Sequence, residues 1–211
     1  MNKAELIEKQ QAKITALKKS VMNVRSPQSK ITLKLLKLNV KSLPKSLVDK
    51  KGIIELVSLV DEDHTLKVIS NLFDTPNIIT AIDSIYDISE CYISTWAVTP
   101  IGIARLQSLS EKNINCTVLL DRTHSYKWTF ESGAYKILKN VNFVFTENHS
   151  KFVLFKLKDG SVINFIGSFN LSNNPRFENI EINRIKDEYE FYKSFIVGVQ
   201  SGTYESQKTL F

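Results

Sequence analysis

NHSKFVLFKLKDGSVINFIGSFNLSNNPRFENIEI, residues 148–182, contains three β-like runs separated by two turns. Residues 151–158 and 161–166 read as strands. Asp159-Gly160 between them is a hairpin signal, because a two-residue hairpin turn needs positive φ at both positions. Gly167-Ser168-Phe169-Asn170 makes the next turn, and residues 179–185 (NIEINRI) alternate as a third strand. Residues i and i+2 of a strand share a face. His149 and Lys151 are therefore expected to project together from the sheet. The turn at 167–170 returns polar side chains toward them, and Asn179, Glu181 and Asn183 share one side of the following strand.

Upstream, short β-rich runs alternate with helix-like stretches. The runs are 53–60 (IIELVSLV), 66–70 (LKVIS), 91–95 (CYIST), 115–120 (NCTVLL) and 142–146 (NFVFT). Helices are expected over 76–89, 100–112 and 132–139. Pro76 and Pro100 suit a first helical turn, where the missing N–H costs nothing. A C-terminal helix is expected over 187–200, with Tyr189, Phe191, Tyr192, Phe195 and Ile196 as packing residues. Such alternation points to an α/β sandwich. Cys91 and Cys116 each lie in an apolar strand-like run, so buried free thiols are expected rather than a disulfide. That usage fits a reducing compartment.

The charge is unevenly spread. Residues 1–51 hold 13 Lys/Arg against 3 Asp/Glu, a local charge of +10, whereas residues 52–211 hold 15 against 19, a local charge of −4. The chain divides into a basic N-terminal arm, 1–51, and a mildly acidic body, 52–211. Residues 3–22 place Leu6, Ile7, Ile14, Leu17 and Val21 on one helical face. Residues 25–30 break that pattern, and 31–40 fit a bulged strand or an amphipathic helix equally well. A basic arm suits a polyanion: nucleic acid first, an anionic membrane surface second. No run approaches the roughly 18–20 apolar residues of a membrane span. The N-terminus lacks the apolar stretch of a signal peptide, so a cytoplasmic location is expected.

Residues 148–182 also carry the residue types for breaking a phosphodiester. Lys151 and the amide of Asn170 can neutralise and hold nonbridging oxygens. The His149 imidazole can attack phosphorus and form a covalent intermediate. A carboxylate on its other ring nitrogen would set the tautomer, and Glu181 is the candidate, with pairing to a surface Lys or Arg as the alternative. A second histidine must protonate the leaving oxygen. His64 lies in an acidic loop and reads as structural. Asp121, Arg122, His124, Thr95 and Trp96 follow strand-like runs, where α/β proteins line their sites. No Cys/His cluster has metal-ligand spacing, and no glycine-rich nucleotide loop is present.

His149-Ser-Lys151, the Gly167-Ser168-Phe169-Asn170 turn and the Asn179-x-Glu181 segment resemble the HKD signature of the phospholipase D superfamily. The resemblance spans roughly residues 60–205, with 148–182 carrying the motif. It implies a phospholipase D-like mixed sheet flanked by helices, here with the basic N-terminal extension. His149, Lys151, Asn170 and Glu181 would be catalytic. Ser168, Arg176 and His124 would contact substrate, and no metal or cofactor is called for. The signature's aspartate, five residues after the lysine, is replaced by Lys156; Asp159 stands three further on, and a longer hairpin accounts for the shift. A chain with one copy of the motif implies a homodimer, with one His149 as nucleophile and the other as general acid. The function so implied is a metal-independent phosphodiesterase acting as a DNA nuclease. Phospholipid hydrolysis or transfer, and a silent nucleic-acid-binding protein of the same fold, remain as alternatives.

Overall fold

The computed structural model describes residues 32–35, 50–70, 74–125, 138–172 and 178–203. Among the described residues, eight strands form one mixed sheet in the order β1-β2-β8-β7-β6-β3-β4-β5. They are β1 Thr32–Leu35, β2 Leu66–Ser70, β3 Ile88–Thr95, β4 Asn115–Asp121, β5 Val141–Thr146, β6 Phe152–Leu157, β7 Val162–Gly167 and β8 Glu178–Asn183. β3, β4 and β5 run parallel, and every other pairing is antiparallel. The helices are α1 Lys50–Val57, α2 Thr75–Asp83, α3 Pro100–Glu111, α4 Arg122–Ser125 and α5 Lys186–Gln200. The expected α/β fold, a mixed sheet flanked by helices, is present.

Both sheet faces are covered, so the central strands read as near-continuous apolar runs. Along β6 the period of two divides the side chains. Val153, Phe155 and Leu157 join the large core that contains α1, α2 and α3 residues. Phe152 and Leu154 join Tyr189 and Ile196 of α5. Cys91 and Cys116 are register partners on β3 and β4, both buried and free.

Several elements differ from the sequence expectation. The run 53–60 is not a strand but the end of α1 and the turn after it, with Ile53, Leu56, Val57 and Val60 all buried. Their i, i+3, i+4, i+7 spacing is a helical stripe, which outweighed the β-branched composition. The helix expected over 76–89 stops at Asp83, and β3 starts earlier, at Ile88, because it is paired on both sides. Pro76 and Pro100 do stand in the first turns of α2 and α3. The ambiguous stretch 31–40 includes β1, which pairs with β2. The helices expected over 3–22 and 132–139 lie outside the described residues, save for the last two positions of the second. The hairpin is one residue longer than a two-residue turn. Gly160 alone adopts positive φ, at 85°, and its N–H bonds to Leu157 O at 3.0 Å. That is a three-residue loop closed by a glycine bulge. Of the residues expected to pack on α5, Tyr189 and Ile196 are buried, but Phe191 is 68% exposed.

Glu90 of β3 anchors α5 to the sheet. It accepts from Tyr189 Oη at 2.9 Å and Lys193 Nζ at 3.0 Å, with Lys156 Nζ at 3.5 Å. Burial pushes the Glu90 carboxyl up, but the hydrogen bonds from Lys193 and Tyr189 outweigh it and hold the group below the usual glutamate range. A carboxyl depressed on folding stabilises the fold above its unfolded pKa of about 4.3, and that contribution is lost as pH falls through the folded value. Urea unfolding at neutral pH should therefore show Glu90→Gln destabilised by about 1–3 kcal/mol. Between about pH 5 and 3 the gap between variant and wild type should narrow.

Candidate active site

The edge of the sheet formed by the C-terminal ends of β3, β4, β5 and β7 and the starts of β6 and β8 gathers the motif residues. Residues 147–151 cross from β5 to β6 at this edge as irregular chain, so His149 and Lys151 precede the strand rather than lie on it. Asn148 holds the crossing in place. Its backbone N–H donates to Asp121 Oδ2 at 2.7 Å, and its side-chain amide donates to Ser94 Oγ at 3.0 Å and Thr95 O at 3.2 Å. Its Oδ1 accepts from Ser150 N at 3.0 Å and Ser150 Oγ at 2.6 Å. Ser94 Oγ in turn meets Ser150 Oγ at 2.7 Å.

With Asn148 and Ser150 turned inward, His149 faces out and is exposed. Its ring packs edge-on against Trp96, with centroids 5.9 Å apart. No hydrogen bond reaches the imidazole among the described residues. Lys151 is only 8% exposed, and its Nζ donates to His149 O at 2.8 Å. Burial lowers the Lys151 ammonium below the usual lysine range, while the Glu178 carboxylate pulls it back up. An ammonium has three donors. His149 O takes one, which leaves two for an anion among the described residues.

The turn 167–170 lies beside Lys151. Gly167 N donates to Lys151 O at 3.1 Å, and Ser168 N to Asn179 O at 3.1 Å. A Cβ on Gly167 would stand 2.1 Å from Asn179 O, so only glycine allows this approach of β7 to β8. Ser168 Oγ donates to Glu178 Oε2 and accepts from Asn179 N at 3.1 Å. Its proton is committed, so Ser168 shapes the turn. Asn170 Oδ1 accepts from the Trp96 backbone N–H at 3.2 Å, which leaves the Asn170 NH2 group free to donate among the described residues. Thr95 Oγ1 accepts from Leu171 N at 2.9 Å and completes the clamp between β3 and the turn.

Glu178 is the residue that sequence reasoning missed. It opens β8, is 7% exposed, and shares the parity of the core residues Ile180 and Ile182. Glu181 has the opposite parity. It lies with Asn183 on the α5 side and pairs with Lys67 Nζ at 3.0 Å. A strand's period of two therefore places Glu178, not Glu181, on the face of Lys151. Only the β7–β8 register, which sets Gly167 opposite Ile180, could have distinguished them. Asp159 accepts from Ser161 N at 2.9 Å in the hairpin loop, and Lys156 faces Glu90; neither is at this edge. His64 pairs with Asp61 at 2.5 Å. His124 belongs to α4, at the same edge as Asp121, and Arg122 is exposed there. The side chain of His124 and all of Arg176 lie outside the described residues.

The arrangement is an exposed imidazole beside a buried ammonium and a free carboxamide donor, with a buried carboxylate behind. Glu178→Gln removes the charge that raises Lys151, so the Lys151 ammonium should titrate at lower pH than in wild type. Side-chain NMR of the lysine ε-carbon across pH 7–12 would read this directly, and an unchanged titration would sever the two residues.

No protein-family model and no curated protein matches the sequence. Among solved structures, the chain is similar to Nuc, a phospholipase D family member from Salmonella typhimurium, at 16% identity over 58% of this chain and 84% of that one, with a TM-score of 0.46. It is similar to polyphosphate kinase from Porphyromonas gingivalis at 12% identity over 91% of this chain, with a TM-score of 0.50. TrmBL2, an archaeal chromatin protein whose structure shows a mode of DNA binding, matches at 8% identity over 95% of this chain, with a TM-score of 0.40. The chain spans 30% of the length of the kinase and 63% of that of TrmBL2. At these identities the likeness is one of fold alone, a mixed α/β sheet flanked by helices.

Proposed function

We infer that the chain is a metal-independent phosphodiesterase that cuts DNA through a phosphohistidine intermediate. The observation that carries this is the meeting of His149, Lys151 and the Gly167–Asn170 turn at one sheet edge, where Lys151 Nζ reaches His149 O at 2.8 Å and the imidazole is exposed. A phosphodiester is anionic, and an incoming nucleophile meets its charge. The Lys151 ammonium and the Asn170 amide would draw that charge onto the nonbridging oxygens. A neutral imidazole nitrogen of His149 attacks phosphorus, forming a P–N bond as the P–O bond to the leaving nucleoside breaks. A protonated second imidazole gives its proton to the leaving oxygen. That second group, now neutral, takes a proton from water; the hydroxide forms a new P–O bond and the P–N bond breaks, restoring His149. Glu178 keeps Lys151 charged in its buried position and holds the turn through Ser168.

The second imidazole is assigned to a second copy of the chain. His64 is engaged by Asp61, and a two-fold axis through the edge brings His149 of one copy to His149 of the other with no further sequence. The arm at 1–51, with its local charge of +10, suits phosphate contacts that carry no base readout.

The deciding measurement is cleavage of labelled single- and double-stranded DNA in excess EDTA. Wild type should cut, and His149→Ala should lose about a thousandfold or more in rate. Cleavage that survives in His149→Ala would end the proposal. Hydrolysis of vesicle phospholipid, dependent on His149 and with DNA untouched, would transfer the same chemistry to headgroup diesters. Sedimentation at assay concentration carries the second part: a dimer is expected, and a monomer that still cuts would exclude a shared site.

A further inference from the structure

Among the described residues, Trp96 is a large apolar side chain that remains accessible beside His149. It follows the last residue of β3, Thr95, at the same edge, and is 36% exposed. Its backbone N–H is held by Asn170 Oδ1 at 3.2 Å, and its ring meets the His149 ring edge at 5.9 Å between centroids with a 62° tilt. The backbone that carries the indole is therefore held by the turn, and the indole ring borders the His149 imidazole. A surface tryptophan held by its backbone beside a reacting group is suited to receive a flat apolar ligand.

We propose that Trp96 is a stacking platform for an unpaired base next to the scissile phosphate, so that the substrate of this site is single-stranded nucleic acid. This rests on the phosphodiesterase reading above. A phosphorus within attack distance of the His149 imidazole, about 3–3.5 Å, brings the neighbouring nucleoside over the adjoining indole. In a duplex that base has both faces occupied by its neighbours in the stack. In a single strand it has a free face, and stacking on an aromatic ring is strong and indifferent to base identity. The lysine and asparagine donors would then hold the phosphate, and the indole would set how the strand enters.

The test is fluorescence anisotropy in excess EDTA with three labelled ligands: a dT 12-mer, a 12-mer of the same backbone carrying abasic sites, and a 12-base-pair duplex. Wild type, Trp96→Phe and Trp96→Ala are compared, each first shown by thermal melting to be folded. Wild type should bind the dT strand more tightly than the abasic strand or the duplex. Trp96→Ala should weaken dT binding by about tenfold, the loss of roughly one stacked base, and leave abasic binding unchanged. Trp96→Phe should restore most of the difference. Equal weakening on all three ligands would overturn the proposal and make the indole a support for His149 or a subunit contact, as would the absence of any effect or of any binding by wild type. Binding with this pattern but no cleavage would sink the nuclease reading and keep the platform. Cleavage without the pattern would do the reverse. A Trp96→Ala protein that fails to melt cooperatively leaves Trp96→Phe and the dT-to-abasic ratio of wild type to decide, and a ratio near one excludes stacking.

Discussion

The side chain of Asn148 sits where three chain segments meet. Its amide nitrogen donates toward Ser94 and Thr95 at the end of β3, and toward Leu119 O of β4 at 3.4 Å. Its oxygen takes both the N–H and the hydroxyl of Ser150. Each such bond is worth about 1 kcal/mol net, but a buried partner left unpaired costs about 1–3 kcal/mol, so the network favours completion. Satisfying it fixes the path of 147–151. Asn148 and Ser150 point inward, and the residue between them, His149, must then point out. Lys151, the last residue of the crossing, is buried with its charge.

That charge explains the carboxylate behind it. A buried ammonium is costly unless hydrogen-bonded or opposed by a negative group. Lys151 has both, in His149 O and in the field of Glu178. Glu178 in turn accepts from Ser168 and so ties the turn to the start of β8. One electrostatic requirement thus organises the turn that carries Asn170, and Asn170 positions Trp96. The edge is also where the connections diverge. β3 continues through α3 to β4 on one side, whereas β6 returns to pair with β3 on the other. The carboxyl ends of the parallel strands at such a point are the usual place for a ligand in an open α/β sheet.

Much of this was legible in the chain. The hairpin at Asp159-Gly160, the proline-started helices and the free in-strand cysteines follow from local rules about φ, periodicity and hydrogen bonding. The misread segment 53–60 shows where those rules compete. Eight residues with four β-branched side chains carry both a strand composition and a helical stripe, and the packing of Ile53, Leu56, Val57 and Val60 resolved it. Phe191 was read as a packing residue because it is aromatic, yet the face of α5 toward the sheet passes through Tyr189 and Ile196.

The sequence by itself determined most of the elements, the existence of the turns and the residue types at the site, because these depend on neighbours a few positions apart along one chain. The tertiary structure alone decided which carboxylate accompanies Lys151, that Lys151 is buried while His149 is not, and that Trp96 borders the imidazole. These depend on register across β7 and β8 and on the ends of β3 and β6 meeting. A strand's period of two makes every such outcome turn on a single residue of register, and register is set by contacts between segments far apart in the chain.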